Sequence, residues 1–164
     1  MSLPGWAAVS ATRRAHIERV VALLTSWADA MRVSTGERDR WIRAGWLHDA
    51  LRDAELGSRT AHGPAAADRA AAEGERDRGV LDAVRYHTIG SAGWDDVGRM
   101  LYLADYLEPG RSLPEAPELA RRVPGERDAV LKEVARRRLE WTLRSGWPLP
   151  AETVAFWNQL VGRP

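Results

Sequence analysis

The sequence predicts an all-α protein, a single helical bundle formed by residues 1–164. Three observations lead there. Apolar residues recur at three- and four-residue steps along most of the chain, the period of one helix face. The breaks between those runs carry helix punctuation, with Ser, Thr or Asp before a run and Gly or Pro after it. No stretch alternates apolar and polar residues in the two-residue period of a half-buried strand. A chain of 164 residues is long enough for one real core. No repeat, low-complexity linker or composition shift marks a boundary. The chemistry-bearing residues fall between about 13 and 112, and further helices between about 113 and 164.

The elements follow in order. Ser10 and Thr12 are cap candidates for a helix that runs to about Met31, with Ile17, Val20, Val21, Leu24, Ala28 and Met31 on one face. Ser34-Thr35-Gly36 breaks the chain, and a second helix is expected from about Glu37 to Arg52. Gly57-Ser58 is a loop. His62-Gly63-Pro64 opens an Ala-rich helix, since Pro in a first turn forfeits no intrahelical bond, and Gly74 lies near its end. Asp77 can cap the next helix, where Val80, Leu81, Val84 and His87 share a face. After a loop from Thr88 to Gly93, Asp95 or Asp96 starts another helix that Pro109-Gly110 ends. A short helical piece lies between Pro114 and Pro117. A long charged helix follows from about Glu126 to Arg144, with Val130, Leu131, Val134, Leu139 and Leu143 expected inside. Gly146 to Pro150 turns the chain into a last helix, Ala151 to Val161.

The totals exclude several classes of function. Lys and Arg number 24 against 23 Asp and Glu, a net charge of +1. A general nucleic-acid binder would carry a basic excess, so no nucleic-acid partner is expected, and Arg137-Arg138 reads as a solvated helix face. There is no Cys, so disulfides, thiolate nucleophiles and zinc–thiolate sites are excluded. Met1 to Trp6 lacks the basic and apolar regions of a signal peptide, and no apolar run approaches the roughly 20 residues of a membrane span. A cytoplasmic protein with no membrane partner is expected. Eight tryptophans leave room for exposed ones that could support a homodimer.

The candidate site centres on Gly45-Trp46-Leu47-His48-Asp49-Ala50-Leu51, where an adjacent His and Asp sit among apolar neighbours. A buried carboxylate beside an imidazole is costly unless its charge is compensated, by a cation, a hydrogen bond or an Arg. The four histidines, His16, His48, His62 and His87, each fall on or at the end of a different expected helix, and Asp49 and Asp105 lie within or beside apolar faces. A helical core that gathers imidazoles and carboxylates is a usual way to build a metal site. These nitrogen and oxygen ligands suit Fe, Mn, Co, Ni or Zn. Six protein groups exceed what one catalytic ion takes while keeping open positions. Two divalent ions fit better, with Asp49 offering one carboxylate oxygen to each.

These residues carry a resemblance to a known family. His16, His48-Asp49, His62, His87 and Asp105 resemble the pattern of the HD superfamily of metal-dependent phosphohydrolases. The blocks HGPAAA from His62, LDAVRYHTIG from Leu81, LYLADYLEPGR from Leu101 and PLPAETVAFWNQLV near the end resemble a bacterial branch, the YqeK family, over about residues 13 to 161. The resemblance implies an enzyme that hydrolyses diadenosine tetraphosphate symmetrically to two ADP, through a water activated by two metal ions, usually iron. It implies one metal on His16, His48, Asp49 and Asp105, and another on Asp49, His62 and His87. In that mechanism charge develops on the leaving phosphate, and Arg111 and Arg52 are candidates to offset it beside Asp49. Thr88, Gly90, Glu108 and Arg111 are candidates to bind substrate, Glu108 either by holding Arg111 or by supporting a metal-bound His. Trp94 is a candidate to stack on a base. Three features depart from the family pattern. Only 14 positions separate His48 from His62, a short version of a segment that helps cover the active site. Arg52 stands where Lys is usual, and Glu18 is unexpected after His16. The short segment keeps open a phosphohydrolase acting on another nucleotide, such as a nucleoside monophosphate, a cyclic nucleotide or an alarmone. A non-catalytic nucleotide-binding module is a further alternative.

Overall fold

A computed structural model describes residues 1–162. The last two residues of the 1–164 bundle expected from the sequence lie outside the described residues. The protein is all α, with helices α1 (Ala11–Ala30), α2 (Thr35–Leu47), α3 (His62–Ala72), α4 (Arg78–Tyr86), α5 (Asp96–Leu107), α6 (Ala116–Arg144) and α7 (Ala151–Val161). None of them is long and apolar enough to cross a membrane.

The caps explain most of the starts. The side chains of Ser10, Ser34, Asp77 and Asp95 accept from the backbone N–H of Arg13, Glu37, Val80 and Val97, satisfying donors that a helix start leaves unpaired. Helix α5 is the hub. Val97, Gly98 and every residue from Met100 to Asp105 are buried, and α5 packs against α1, α2, α4 and α6. On α1, Ile17, Val20, Leu24 and Ala28 are buried as their spacing predicts, while Val21 and Met31 are only partly covered.

Three expectations need correction. Helix α2 stops at Leu47 rather than Arg52. Beyond it Ala50, Arg52 and Ala54 donate to carbonyls three residues back, at 3.1, 2.9 and 3.2 Å, so the chain tightens into successive turns. The amino-terminal segment holds those turns: Ala8 donates to the Ala50 carbonyl at 2.8 Å, Asp53 to that of Ala8 at 3.3 Å, and Ser10 to the Asp53 carboxylate at 2.7 Å. Second, the short piece after Pro114 and the long charged helix are joined in α6, with non-helical backbone at Glu126 two residues after Pro124. Third, Leu143 is 58% exposed and not a core residue. Val130, Leu131 and Val134 are buried as expected.

One ion-pair network fixes the starts of α4 and α5 to α2. Arg40 donates to both oxygens of Asp77, at 2.7 and 3.0 Å, and to Asp95 and Glu37 at 2.6 and 2.8 Å. Its hydrogen bonds lead the effects that lower the Asp77 carboxyl to about 2. A depressed carboxyl contributes stability that is complete above its unfolded value, near 3.8, and is lost as pH falls through about 2. Asp77→Asn keeps an N-cap and removes the charge. We expect it to melt roughly 2–4 °C lower near neutral pH. The gap from wild type should close as acid protonates Asp77, and an unchanged gap in melting curves below pH 3 would reject the ion-pair account.

Candidate metal centre

Five helix ends deliver the site. His16 lies in the second turn of α1, His48 caps the end of α2 with Asp49 next to it, His62 begins α3, His87 caps the end of α4, and Asp105 lies in the last turn of α5. All six are at most 6% exposed. Three of these are helix carboxyl ends, where the summed peptide dipoles leave partial negative charge that favours a cation.

Asp49 is the centre of the arrangement. Its Oδ2 faces His16 Nε2 at 3.6 Å and His48 Nε2 at 3.8 Å. Its Oδ1 faces His62 Nε2 at 3.1 Å and His87 Nε2 at 3.3 Å. His16 and His48 present their Nε2 atoms to each other at 3.4 Å, and His62 and His87 do so at 3.1 Å. Asp105 Oδ1 lies 3.2 Å from His16 Nε2. Two groups therefore share one carboxylate, His16–His48–Asp49 and Asp49–His62–His87.

The hydrogen bonds behind the rings set which nitrogen faces inward. His48 Nδ1 meets the Gly45 carbonyl at 2.7 Å, His87 Nδ1 the Val84 carbonyl at 2.8 Å, and His16 Nδ1 the Glu108 carboxylate at 3.0 Å. A carbonyl or carboxylate only accepts, so Nδ1 carries the proton in each ring. When these rings are neutral, their Nε2 lone pairs converge on a carboxylate that is itself all lone pairs. Ligand atoms bound at about 2.0–2.2 Å to one divalent ion lie roughly 3.0–3.5 Å apart. The spacings within the Asp49–His62–His87 group fall in that range, those from Asp49 to His16 and His48 lie just beyond it at 3.6 and 3.8 Å, and the donor set fits a pair of divalent cations. His62 differs, because its Nδ1 is buried without a hydrogen-bond partner.

Electrostatics keeps the acids charged. Burial works to raise the Asp49 carboxyl, but the imidazoles of His48, His62 and His87 packed around it hold it well below the usual range. Burial likewise opposes the charge on Asp105, and His16, Arg111 and Arg138 overcome it. Burial lowers His48 to about 4, so that ring is neutral at pH 7. Burial lowers His16 as well, but hydrogen bonds to Asp105 and Glu108 leave it raised.

The arginines fall differently from the sequence expectation. Arg111 reaches the site, donating from Nη2 to Asp105 Oδ1 at 2.7 Å and from Nε to the Asp105 carbonyl at 2.7 Å. Arg52 makes no side-chain hydrogen bond or ion pair among the described residues, and Arg13 donates to Asp49 Oδ2 instead, at 2.8 Å. Arg13 sits three residues before His16, hence on the same side of α1, a signal available in the sequence. Arg138 is no part of a solvated face. Its side chain is 18% exposed, donates to Asp105 Oδ2 at 2.9 Å, and lies over the Tyr102 ring at 4.2 Å. Nothing in the local charge pattern of α6 distinguishes Arg138 from Arg137, which pairs with Glu133 and Glu115.

The other candidates sort by geometry. Glu108 is buried against His16 and is held by Arg19 at 2.5 Å and the Gly110 N–H at 2.6 Å, so it faces a ring of the cluster and not Arg111. Thr88 is partly exposed in the turn after His87 and makes no side-chain hydrogen bond among the described residues. Gly90 is buried with φ +86°, and a Cβ there would meet the Phe156 ring at 2.5 Å. Its lack of a side chain serves packing. Trp94 is 5% exposed, packed tilted against Tyr102 and edge-on against Phe156, and donates to the Asp82 carbonyl at 3.1 Å, so it is closed to a base.

Comparison with known proteins gives a consistent picture. The model of the HD domain family matches residues 13–110, which contain all six cluster residues. The chain is 30% identical over 88 residues to the symmetrical bis(5'-nucleosyl)-tetraphosphatase of Bacillus subtilis, a match covering 54% of this chain and 47% of that protein. It is 31% identical over 103 residues to the enzyme of the same name from Staphylococcus aureus, covering 57% and 53%. The chain thus spans about half the length of the curated relatives it matches. The fold is also that of the crystal structure of a predicted HD superfamily hydrolase involved in NAD metabolism from Clostridium acetobutylicum. The TM-score is 0.79 at 21% identity, over 95% of this chain and 92% of that one.

Proposed function

The chain belongs to the HD-domain family of hydrolases, and from that premise we propose that it cleaves a dinucleoside tetraphosphate symmetrically into two nucleoside diphosphates. One observation carries the reading: a single buried carboxylate, Asp49, shares its two oxygens between two histidine pairs. His16, His48, Asp49 and Asp105 would hold one divalent cation, and Asp49, His62 and His87 the other, with iron first in expectation and Mn, Co or Ni able to substitute. Such a pair, when bound, lowers the pKa of a water and offsets charge on a phosphoryl group.

The protein's own groups do the rest. The carbonyls of Gly45 and Val84 and the carboxylate of Glu108 orient three imidazoles. Arg19 and the Gly110 amide fix Glu108 in turn. Arg13 and Arg111 have side chains 27% and 39% exposed, each with one edge on a cluster carboxylate. Apart from Arg13 Nε, which is buried, their remaining N–H groups make no hydrogen bond among the described residues and would bind phosphate oxygens. Arg138 holds Asp105 from the buried side.

The test is product analysis. Purified protein supplied with Fe²⁺ or Mn²⁺ should convert diadenosine tetraphosphate to ADP alone. ATP with AMP as products would overturn the symmetrical assignment. No turnover in protein that retains two metals per chain would overturn hydrolysis of this substrate.

A further inference from the structure

Two tryptophans are left half outside the molecule. Trp141 and Trp147 are each 52% exposed, at the end of α6 and in the turn after it. The Arg59 guanidinium lies over both rings, at 5.3 and 5.1 Å from their centres. Arg59 has no carboxylate or other hydrogen-bond partner among the described residues. Its charge rests on π-faces alone, an arrangement that favours a cation only modestly at an exposed site.

Both sides of this group lie three residues from a side chain of the candidate metal centre. Arg59 is three residues before His62, in the segment between two cluster histidines. Trp141 is three residues after Arg138, whose guanidinium is 2.9 Å from Asp105. Residues three apart on a helix are neighbours on one face, about 5–6 Å apart at Cβ. A cation with no carboxylate partner among the described residues and two half-exposed tryptophans thus lie on the segments that carry His62 and Arg138.

We propose that Arg59, Trp141 and Trp147 form a nucleobase subsite, in which a base stacks on a tryptophan ring and Arg59 turns toward the adjoining phosphates. The inference rests on the nucleotide reading of the site and specifies where the base goes. The chemistry favours this ligand over others: a nucleotide joins a flat π-face to negative charge, which this trio complements, whereas an apolar partner would leave Arg59 buried and unpaired. Every base has a π-face, so the subsite accepts different bases.

Binding of ADP and of pyrophosphate to the full chain with Mn²⁺, by calorimetry, tests this apart from turnover. Trp141→Ala and Trp147→Ala should together lower ADP affinity relative to pyrophosphate affinity by roughly 5- to 150-fold, the effect of losing base stacking. Trp→Phe at both positions should restore most of it. Leu143→Ala, which removes an equally exposed apolar side chain from the same helix, should leave the ratio unchanged. A wild-type chain that binds pyrophosphate as well as ADP overturns the subsite even if it hydrolyses the tetraphosphate. So does an unchanged ratio in the double variant, including the case where that variant only disperses a dimer seen by sedimentation. Failure of the tetraphosphate to react, with the ADP preference present and lost in the variant, overturns the hydrolytic reading and keeps the subsite.

Discussion

Asp49→Ala should remove turnover and empty both cation positions at once. The expectation follows from geometry. Oδ2 belongs to the His16–His48 group and Oδ1 to the His62–His87 group, so one side chain is common to both. Each pair of imidazoles left behind is neutral when each ring carries a single proton, and among the described residues no other carboxylate faces the second pair. Metal content should fall from two per chain to below one, and turnover by at least about 10³-fold, since charge stabilisation by each cation is worth several kcal/mol. Asp49→Asn separates the two roles of the residue. An amide has one oxygen and an NH₂ that donates, so it can serve one group at most. Elemental analysis of protein purified in parallel, with circular dichroism to confirm folding, reads the first outcome, and ADP release reads the second. An Asp49→Ala protein that keeps two metals, or wild-type turnover, would remove the basis of the proposed function.

Much of this site was legible because its residues are rare and its helices well punctuated. Four histidines in 164 residues, three beside apolar stripes and His62 at a helix start, could be placed on or at the ends of different helices by period and punctuation. Ser10, Asp77 and Asp95 fix helix starts through short-range chemistry that a sequence displays. The end of α2 was not legible. Periodicity continues through Leu51, but the hydrogen bonds of residues 8, 10 and 53 hold the chain in turns there, and those partners are 42 or more positions apart where they span the gap from Ser10 or Ala8. Arg138 shows the same limit from the other side. Its place on α6 reads like that of Arg137, and only the arrival of Asp105 from α5 decides that one is enclosed and the other left at the surface. Trp94 could not be sorted from the exposed tryptophans, because composition reports that tryptophan is present, not which ring Phe156 and Tyr102 cover. Trp141 and Trp147 could not be told from the other six by their neighbours in sequence.

The second large effect is expected at a residue with no side chain. Helix α3 begins where it touches the end of α4. A Cβ at Gly63 would lie 2.9 Å from the carbonyl oxygens of both Val84 and Arg85, and 3.4 Å from His87 Cε1. The two oxygens are backbone, so the clash is not relieved by a rotamer change, and α3 must move away from α4. Gly63→Ala therefore acts on two cluster residues together. It shifts His62, the preceding residue, and it presses on the Val84 carbonyl that orients His87 at 2.8 Å. His16 and His48 approach Asp49 from α1 and α2 and are not part of that contact. Alanine gains up to about 1 kcal/mol over glycine in helix propensity, but overpacking costs about 1–3 kcal/mol, so the contact decides the sign. The melting temperature should fall by roughly 2–8 °C. Metal content should drop from two per chain toward one, and turnover by about 100-fold or more, the scale of an ångström's misplacement in a catalytic array. The variant thus distinguishes the two groups that Asp49→Ala removes together. A Gly63→Ala chain with two tightly held metals and undiminished turnover would show that the seam between α3 and α4 does not set the position of the His62–His87 pair.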